Sequence, residues 1–261
     1  MKKKIYPSDL TDSQWHHIKE FFETDNSFGR PRELDLRKVI NAVLYLLTTG
    51  CQWRYLPKDF PKWQSVYYYF RKWEADETWI LIHEHLRAEV RRKINKHKHP
   101  TAGCIDSQSV KTVGVSSCFG YDAGKKLKGR KRHILVDTLV LLLAVLVTTA
   151  DVQDRDGCKL LLQRVSGSGK KLRRIWVDGG YRGLLLEWVQ LHFRFCLAVV
   201  LRSDEQKGFT VLPKRWVVER TFAWLGHNRQ LSKDYEVFPK TSETFIYLAM
   251  ARLMLRRIQP L

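Results

Sequence analysis

The sequence predicts an α/β protein: a mixed sheet with helices on both faces, preceded by an all-helical segment. Three observations lead there. Roughly the first hundred residues carry apolar side chains at helical spacing, the pattern turns to short apolar strand runs from Thr101, and those runs then alternate with helical stretches. The 261 residues are 44% apolar and include 9 Trp, 10 Tyr and 12 Phe, which is ample surface for a packed core and excludes a disordered chain. The predicted parts are residues 1–95 and 101–261, joined through the Lys-, Arg- and His-rich stretch from Arg91 to Pro100, read as a linker or a frayed helix end.

In the first part, Thr11 to Gln14 has the form of a capping box, followed by Trp15, Ile18, Phe21 and Phe22 at helical spacing. A second helix starts near Asp35 and carries Leu36, Val39, Ile40, Val43, Leu44 and Leu47; Gly50 is placed to end it in a left-handed cap. A third follows Pro61. Its Val66, Tyr69, Phe70 and Trp73 face a core and leave Gln64, Tyr68, Arg71 and Lys72 outward. Helix, turn and a helix with a basic outer face is the pattern of a helix-turn-helix reader of the DNA major groove, although an ordinary solvated surface fits the spacing equally well.

In the second part, Ala102 to Asp106 reads as a short strand ending in an acid. His133 to Val136 and Leu139 to Thr148 read as a hairpin, without an obvious glycine at its turn near Val140. A helix from Asp154 to Val165, a strand from Arg174 to Asp178, a helix from Leu184 to His192 and a strand from Phe195 to Leu201 follow. Helices over Lys214–Trp224 and Ser242–Ile258 complete the order.

The formal charge of +19, from 46 Lys and Arg against 27 Asp and Glu, points to a polyanionic partner, nucleic acid first and an acidic membrane surface second. The basic start, Met1 to Lys4, has no apolar stretch behind it, and Leu139 to Val147 is about half of the ~18 residues of a membrane helix; neither export nor a membrane span is expected. Five widely spaced Cys without a C-x-x-C pair give no disulfide framework and fit a reducing cytoplasm. His97 and His99 lack local zinc partners, and Ser166 to Lys170 lacks the spacing of a nucleotide-binding loop, which leaves it a flexible loop and no nucleotide cofactor.

Two of the predicted strands run into an acid followed by small or polar residues, Asp106 and Asp178. Carboxyl ends of strands are where side chains converge on ligands in α/β sheets, and paired carboxylates suit a hard divalent ion. Glu219 is a third candidate, on a helical stripe with Arg215, Ala223 and Gly226, where a solvent-facing ion-pair role is the ordinary alternative. Lys125, Lys126, Lys128, Arg130, Lys131 and Arg132 form a basic run that reads either as solvated charge or as a clamp on a phosphate backbone.

Several stretches together closely resemble the DDE transposases of bacterial insertion sequences, in particular the insertion-sequence-five group. They are Thr49 to Pro57, Trp63 to Trp73, Ile105 to Lys111, Gly129 to His133, Val177 to Gly183 and Trp216 to Asn228. The resemblance spans nearly the whole chain. It implies an RNase H-like second part with Asp106, Asp178 and Glu219 as a triad holding Mg²⁺, with Mn²⁺ a substitute. It also implies double-stranded DNA, both transposon ends and target, as the partner. Two in-line displacements at phosphorus would follow, hydrolysis to free a 3′-hydroxyl and then attack of that hydroxyl on target DNA. A homodimer or larger assembly on paired ends and a cytoplasmic, nucleoid-associated location are further expectations. The family's Tyr and basic positions around Glu219 are here Leu212 and Gly226, with His227, Arg229 and Lys233 as nearby substitutes for the charge. A catalytically idle regulator and a nuclease or resolvase on the same fold are the rival readings.

Overall fold

The computed structural model describes residues 6–22, 33–165, 171–201 and 214–259. The basic start, the Ser166 to Lys170 loop and Leu212 lie outside the described residues.

Four helices come first: α1 (Asp12–Ile18), α2 (Leu36–Thr49), α3 (Trp63–Ala75) and α4 (Thr78–Lys93). Local chemistry sets their ends. Thr11 and Gln14 complete both halves of the capping box at α1. Asp35 accepts from the backbone N–H groups of Arg37 and Lys38 at α2, and Gly50, at φ 67°, ends that helix in the left-handed conformation. Residues 50–62 separate α2 from α3, far more than the three or four of a helix-turn-helix turn, so the helix-turn-helix likeness stops at the outer face of α3.

The sheet has six strands: β1 (Ala102–Lys111), β2 (Gly120–Asp122), β3 (Leu127–Asp137), β4 (Leu142–Thr149), β5 (Arg174–Val177) and β6 (Cys196–Val199). Their order is β2-β3-β1-β5-β6, with β4 continuing along β3 beyond β2. The β1, β3 and β4 pairings are antiparallel, and β5 and β6 join in parallel. Helices α5 (Asp154–Arg164) and α6 (Leu184–His192) cover one face; α7 (Trp216–Gly226) and α8 (Pro239–Ile258) cover the other. Successive residues obey the pleat: Cys104, Ile134 and Val136 enter the core under α7 and α8, while Ile105 and Leu135 enter the core under α5 and α6.

Two sequence expectations need correction, the end of the first strand and the linker, and the glycine-free hairpin turn is as expected. The first strand does not end at Asp106 but runs on to Lys111, because its antiparallel partner β3 pairs with it out to Gly129. The hairpin turn has no glycine; Val140 itself takes φ 64°, and the Asp137 carboxylate holds the turn by accepting from the N–H groups of Leu139 and Leu141 at 2.8 and 2.9 Å. Residues Arg91 to Pro100 are not a free linker at their start. Arg91 is buried on the last turn of α4, pairs with buried Asp137, and donates to the His97 carbonyl at 2.7 Å.

The amino-terminal helices share their core with the sheet. One continuous apolar cluster joins Leu10, Val43, Phe70 and Trp79 to Cys104, Val136 and Val145 through Phe245, Met250 and Met254 of α8. The outer edge of β4 is closed by side chains: Arg87 of α4 donates to the Leu142 carbonyl, and Glu243 of α8 accepts from the Val147 N–H.

Candidate active site and nucleic-acid interface

Asp106 and Asp178 meet because of strand register. Cys104 pairs with Trp176 in the parallel β1–β5 ladder, and the same register two residues further brings Asp106 level with Asp178, just beyond the end of β5. Both acids then point to the α7 face, as Cys104 and Trp176 do. Each carboxylate is held in the same way: Asp106 Oδ1 accepts from the Ser107 N–H at 2.7 Å, and Asp178 Oδ1 accepts from the Gly180 N–H at 2.8 Å. Their Oδ2 atoms share one cation, Arg215, whose Nη2 lies 3.0 Å from Asp106 and 3.5 Å from Asp178.

Arg215 is the N-cap residue of α7, and the start of that helix is fastened over the two acids. The Cys104 thiol donates to the Lys214 carbonyl at 3.0 Å, and the Lys214 ammonium sits 4.4 Å from the centre of the Trp176 ring. Burial pushes the Asp106 carboxyl above its ordinary pKa; the Ser107 N–H and Arg215 work against that rise, while Asp178 adds to it. Beneath the pair, the Tyr181 hydroxyl is buried without a partner among the described residues. Burial, together with the nearby charges of Asp106 and Asp178, pushes its pKa well up.

Glu219 lies one helical turn beyond Arg215 on α7 and is exposed. It stands on the same helix as the cation that bridges the two aspartates, yet it does not close a cage with them. Among the described residues, no three His, Cys, Asp or Glu side chains stand together as a metal site. Two carboxylates from adjoining strands focused on one cationic group are nonetheless a donor set of hard oxygens suited to Mg²⁺, and the guanidinium marks where positive charge is wanted. At Gly226, where the resemblance implies a basic residue, an added side chain would meet open space; His227, Arg229 and Lys233 nearby are exposed.

The predicted DNA-contacting residues divide sharply. On α3, Gln64, Tyr68 and Lys72 are exposed, whereas Arg71 is partly exposed and held by Glu74 and by a bond to Thr241 Oγ1 at 3.1 Å. Lys125, Lys126 and Lys128 are exposed around the β2–β3 turn. Arg130, Lys131 and Arg132 are buried, so the reading of the whole run as a backbone clamp is corrected for these three. Arg130 is bonded to buried Asp234 and to the Cys118, Glu236 and Val237 carbonyls; Arg132 donates to the Leu231 and Lys233 carbonyls. Lys131 reaches Asp122, Asp154 and the Val152 carbonyl. These cations bind the 231–237 segment and the ends of neighbouring elements to β3, and their burial keeps them from phosphate. Arg215, a further candidate for contact with DNA on its charge and its place beside Glu219, likewise faces the two acids instead.

Sequence reasoning missed Cys104 as a support of the site and Tyr181 as its buried neighbour. Tyr181 was within reach, since it closes the Asp178-Gly179-Gly180-Tyr181 run; Cys104 carried no signal, because its role depends on where Lys214 comes to lie.

A mixed sheet in this order, with helices on both faces and two acids level across its central parallel pair, is an RNase H-like arrangement. Residues 97–254 match the family model described as "Transposase DDE domain", and residues 10–83 match "Putative transposase of IS4/5 family". The chain belongs to the DDE transposase domain family. It is also 30% identical over 86 residues to the "Insertion element IS402 uncharacterized 16.2 kDa protein" of Burkholderia cepacia, an alignment that covers 32% of this chain and 57% of that relative. The chain thus spans little more than half the length of that relative. Among the described residues, no helix is long and apolar enough to cross a membrane.

Proposed function

We propose that this protein binds the terminal inverted repeats of an insertion sequence and catalyses Mg²⁺-dependent strand cleavage followed by strand transfer. The observation that carries the reading is the pair of in-register carboxylates, Asp106 and Asp178, focused on a single cation at the start of the helix that bears Glu219. Asp106, Asp178 and Glu219 would hold the metal, with Mn²⁺ as a substitute. When bound, the metal supplies Lewis-acid stabilisation of the charge that develops at phosphorus during in-line displacement.

The protein's own groups prepare that site. The Ser107 and Gly180 N–H groups fix one oxygen of each aspartate and leave the second oxygen for a cation. Arg215 keeps the two carboxylates from repelling each other. Exposed Gln64, Tyr68 and Lys72 on α3, and Lys125, Lys126 and Lys128 at the β2–β3 turn, supply the contacts to duplex DNA. Paired ends call for a dimer or larger assembly, and work on chromosomal DNA fits a cytoplasmic, nucleoid-associated location.

The test is incubation with Mg²⁺ and DNA carrying the element's own ends, scoring both cut and joined products. Asp106→Asn, Asp178→Asn and Glu219→Gln are expected to abolish both products while end binding persists. Cleavage retained in any of them would remove that residue from the triad. Cleavage without joining would favour a nuclease or resolvase, and binding without either product an idle regulator.

A further inference from the structure

The Gln52-Trp53-Arg54 stretch, part of the resemblance to transposases, contributes nothing to the carboxylate site. It lines a separate groove of about 380 Å³ between α3 and the 235–241 segment. Small-ligand clefts begin at about this size. We propose that this groove receives an unpaired nucleobase from the DNA held on α3, a reading that rests on DNA being the substrate and adds a second, non-catalytic subsite to it.

The walls are aromatic and in part open to solvent. Tyr67 and Phe238 are 40% and 50% exposed, although large apolar side chains gain free energy from burial. Trp53 holds the base of the groove: its ring meets Tyr67 edge-on at 5.2 Å and packs behind on Phe70. Tyr67 therefore has a fixed backing against which a planar group can stack. Trp63 is capped by the Arg54 guanidinium at 5.5 Å, and Phe238 by that of Arg71 at 5.7 Å. Aromatic rings interleaved with arginine are what base stacking uses, since every base presents a π-face.

Charge separates a base from a phosphate as the occupant. Of the two arginines, Arg71 is neutralised by its ion pair with Glu74, and Glu236 contributes a carboxyl group to the lining. Among the described lining residues a phosphate would meet one cation without an ion pair, Arg54; an uncharged heterocycle meets flat rings and polar edges. The cations that suit phosphates, Lys58, Lys62 and Lys72, are exposed on the neighbouring surface. Trp63, Tyr67 and Arg71 form one stripe of α3, and Gln64, Tyr68 and Lys72 form the next, so a strand tracked by the outer stripe passes the mouth of the groove.

The test uses the full chain in EDTA, so that no DNA is cut. A short blunt duplex and the same duplex with one unpaired terminal 2-aminopurine are compared by fluorescence anisotropy, with 2-aminopurine emission reporting stacking. The unpaired-end duplex is expected to bind about tenfold more tightly than the blunt one, with its emission quenched. Tyr67→Ala and Arg54→Ala should bring that ratio close to one while blunt-duplex binding stays near the parent's, and Tyr67→Phe, which keeps the ring, should retain it. A ratio near one in the parent protein overturns the proposal, as does a ratio unchanged in both Tyr67→Ala and Arg54→Ala. So does a Tyr67→Ala variant that alters self-association by light scattering and leaves the ratio intact, which would make the groove a contact between copies of the chain. Failure of the transposase reading shows separately, as absence of Mg²⁺-dependent products from the parent protein, and does not enter the EDTA measurement.

Discussion

Replacing Arg130 with Met should destabilise the protein without changing how its folded form responds to salt on DNA. Arg130 and Asp234 are both 0% exposed and lie 3.2 Å apart. The arginine also bonds Ser116 Oγ and the carbonyls of Cys118, Glu236 and Val237 at 2.6–3.0 Å. Methionine fills much of the space but removes every donor. Asp234 keeps its contacts with Ser242 and the Glu236 N–H and the more distant charge of Arg132, but loses its ion-paired guanidinium. Removing one partner of a buried ion pair costs about 3–5 kcal/mol, because the other charge stays desolvated. For a chain of this size that is a fall in Tm of roughly 6–20 °C. Urea unfolding followed by circular dichroism and tryptophan fluorescence measures it. The double variant Arg130→Met, Asp234→Leu should recover part of the loss, since no buried charge then lacks a partner. Exposed Lys128→Met is the opposite case: stability within about 0.5 kcal/mol of the parent, and a shallower dependence of DNA affinity on salt. An Arg130→Met protein within about 1 kcal/mol of the parent, with the flattened salt dependence, would refute the reasoning and return Arg130 to the DNA surface.

Arg215→Gln should loosen the metal-free protein by leaving Asp106 and Asp178 to repel each other, and should increase the rise in Tm produced by added Mg²⁺ relative to the parent. An equal Mg²⁺ response in both proteins would mean that the guanidinium and the ion do not compete for the acids. His133 is buried, with Gly157 of α5 packed so closely on its ring that an added Cβ would lie 2.1 Å away, and burial lowers its pKa from 6.5 to about 4. The native state therefore holds it neutral while the unfolded chain takes up a proton below about 6.5. Its contribution to stability is full above that pH and is lost as pH falls towards 4, by up to about 3 kcal/mol. Urea midpoints from pH 7.5 down to 4.5 should show a steeper loss in the parent than in His133→Gln; equal slopes would contradict the assignment.

Where the sequence was legible, local rules were sufficient. Thr11, Asp35 and Gly50 mark helix ends by capping chemistry that needs no distant partner, and α6 lies at the expected Leu184 to His192. The strand-to-helix alternation of the second part was equally local, because an apolar run and a period of 3.6 are properties of neighbouring residues. Asp106 and Asp178 could be singled out because each follows an apolar strand run and precedes small or polar residues.

What the tertiary structure decided depends on pairings between residues far apart in the chain. That Asp106 stands inside a long strand follows from β3, and that it is level with Asp178 follows from the parallel register with β5. A run of basic residues looks the same whether it faces water or lies in a strand beneath the 231–237 segment; Asp234 and three carbonyls about a hundred residues away bury Arg130 and Arg132. The sequence by itself determined which elements form, where many of them end, and which acids were candidates. The tertiary structure determined which charges face solvent and which are locked inside, since the cost of burying a charge is met only by partners that folding brings to it.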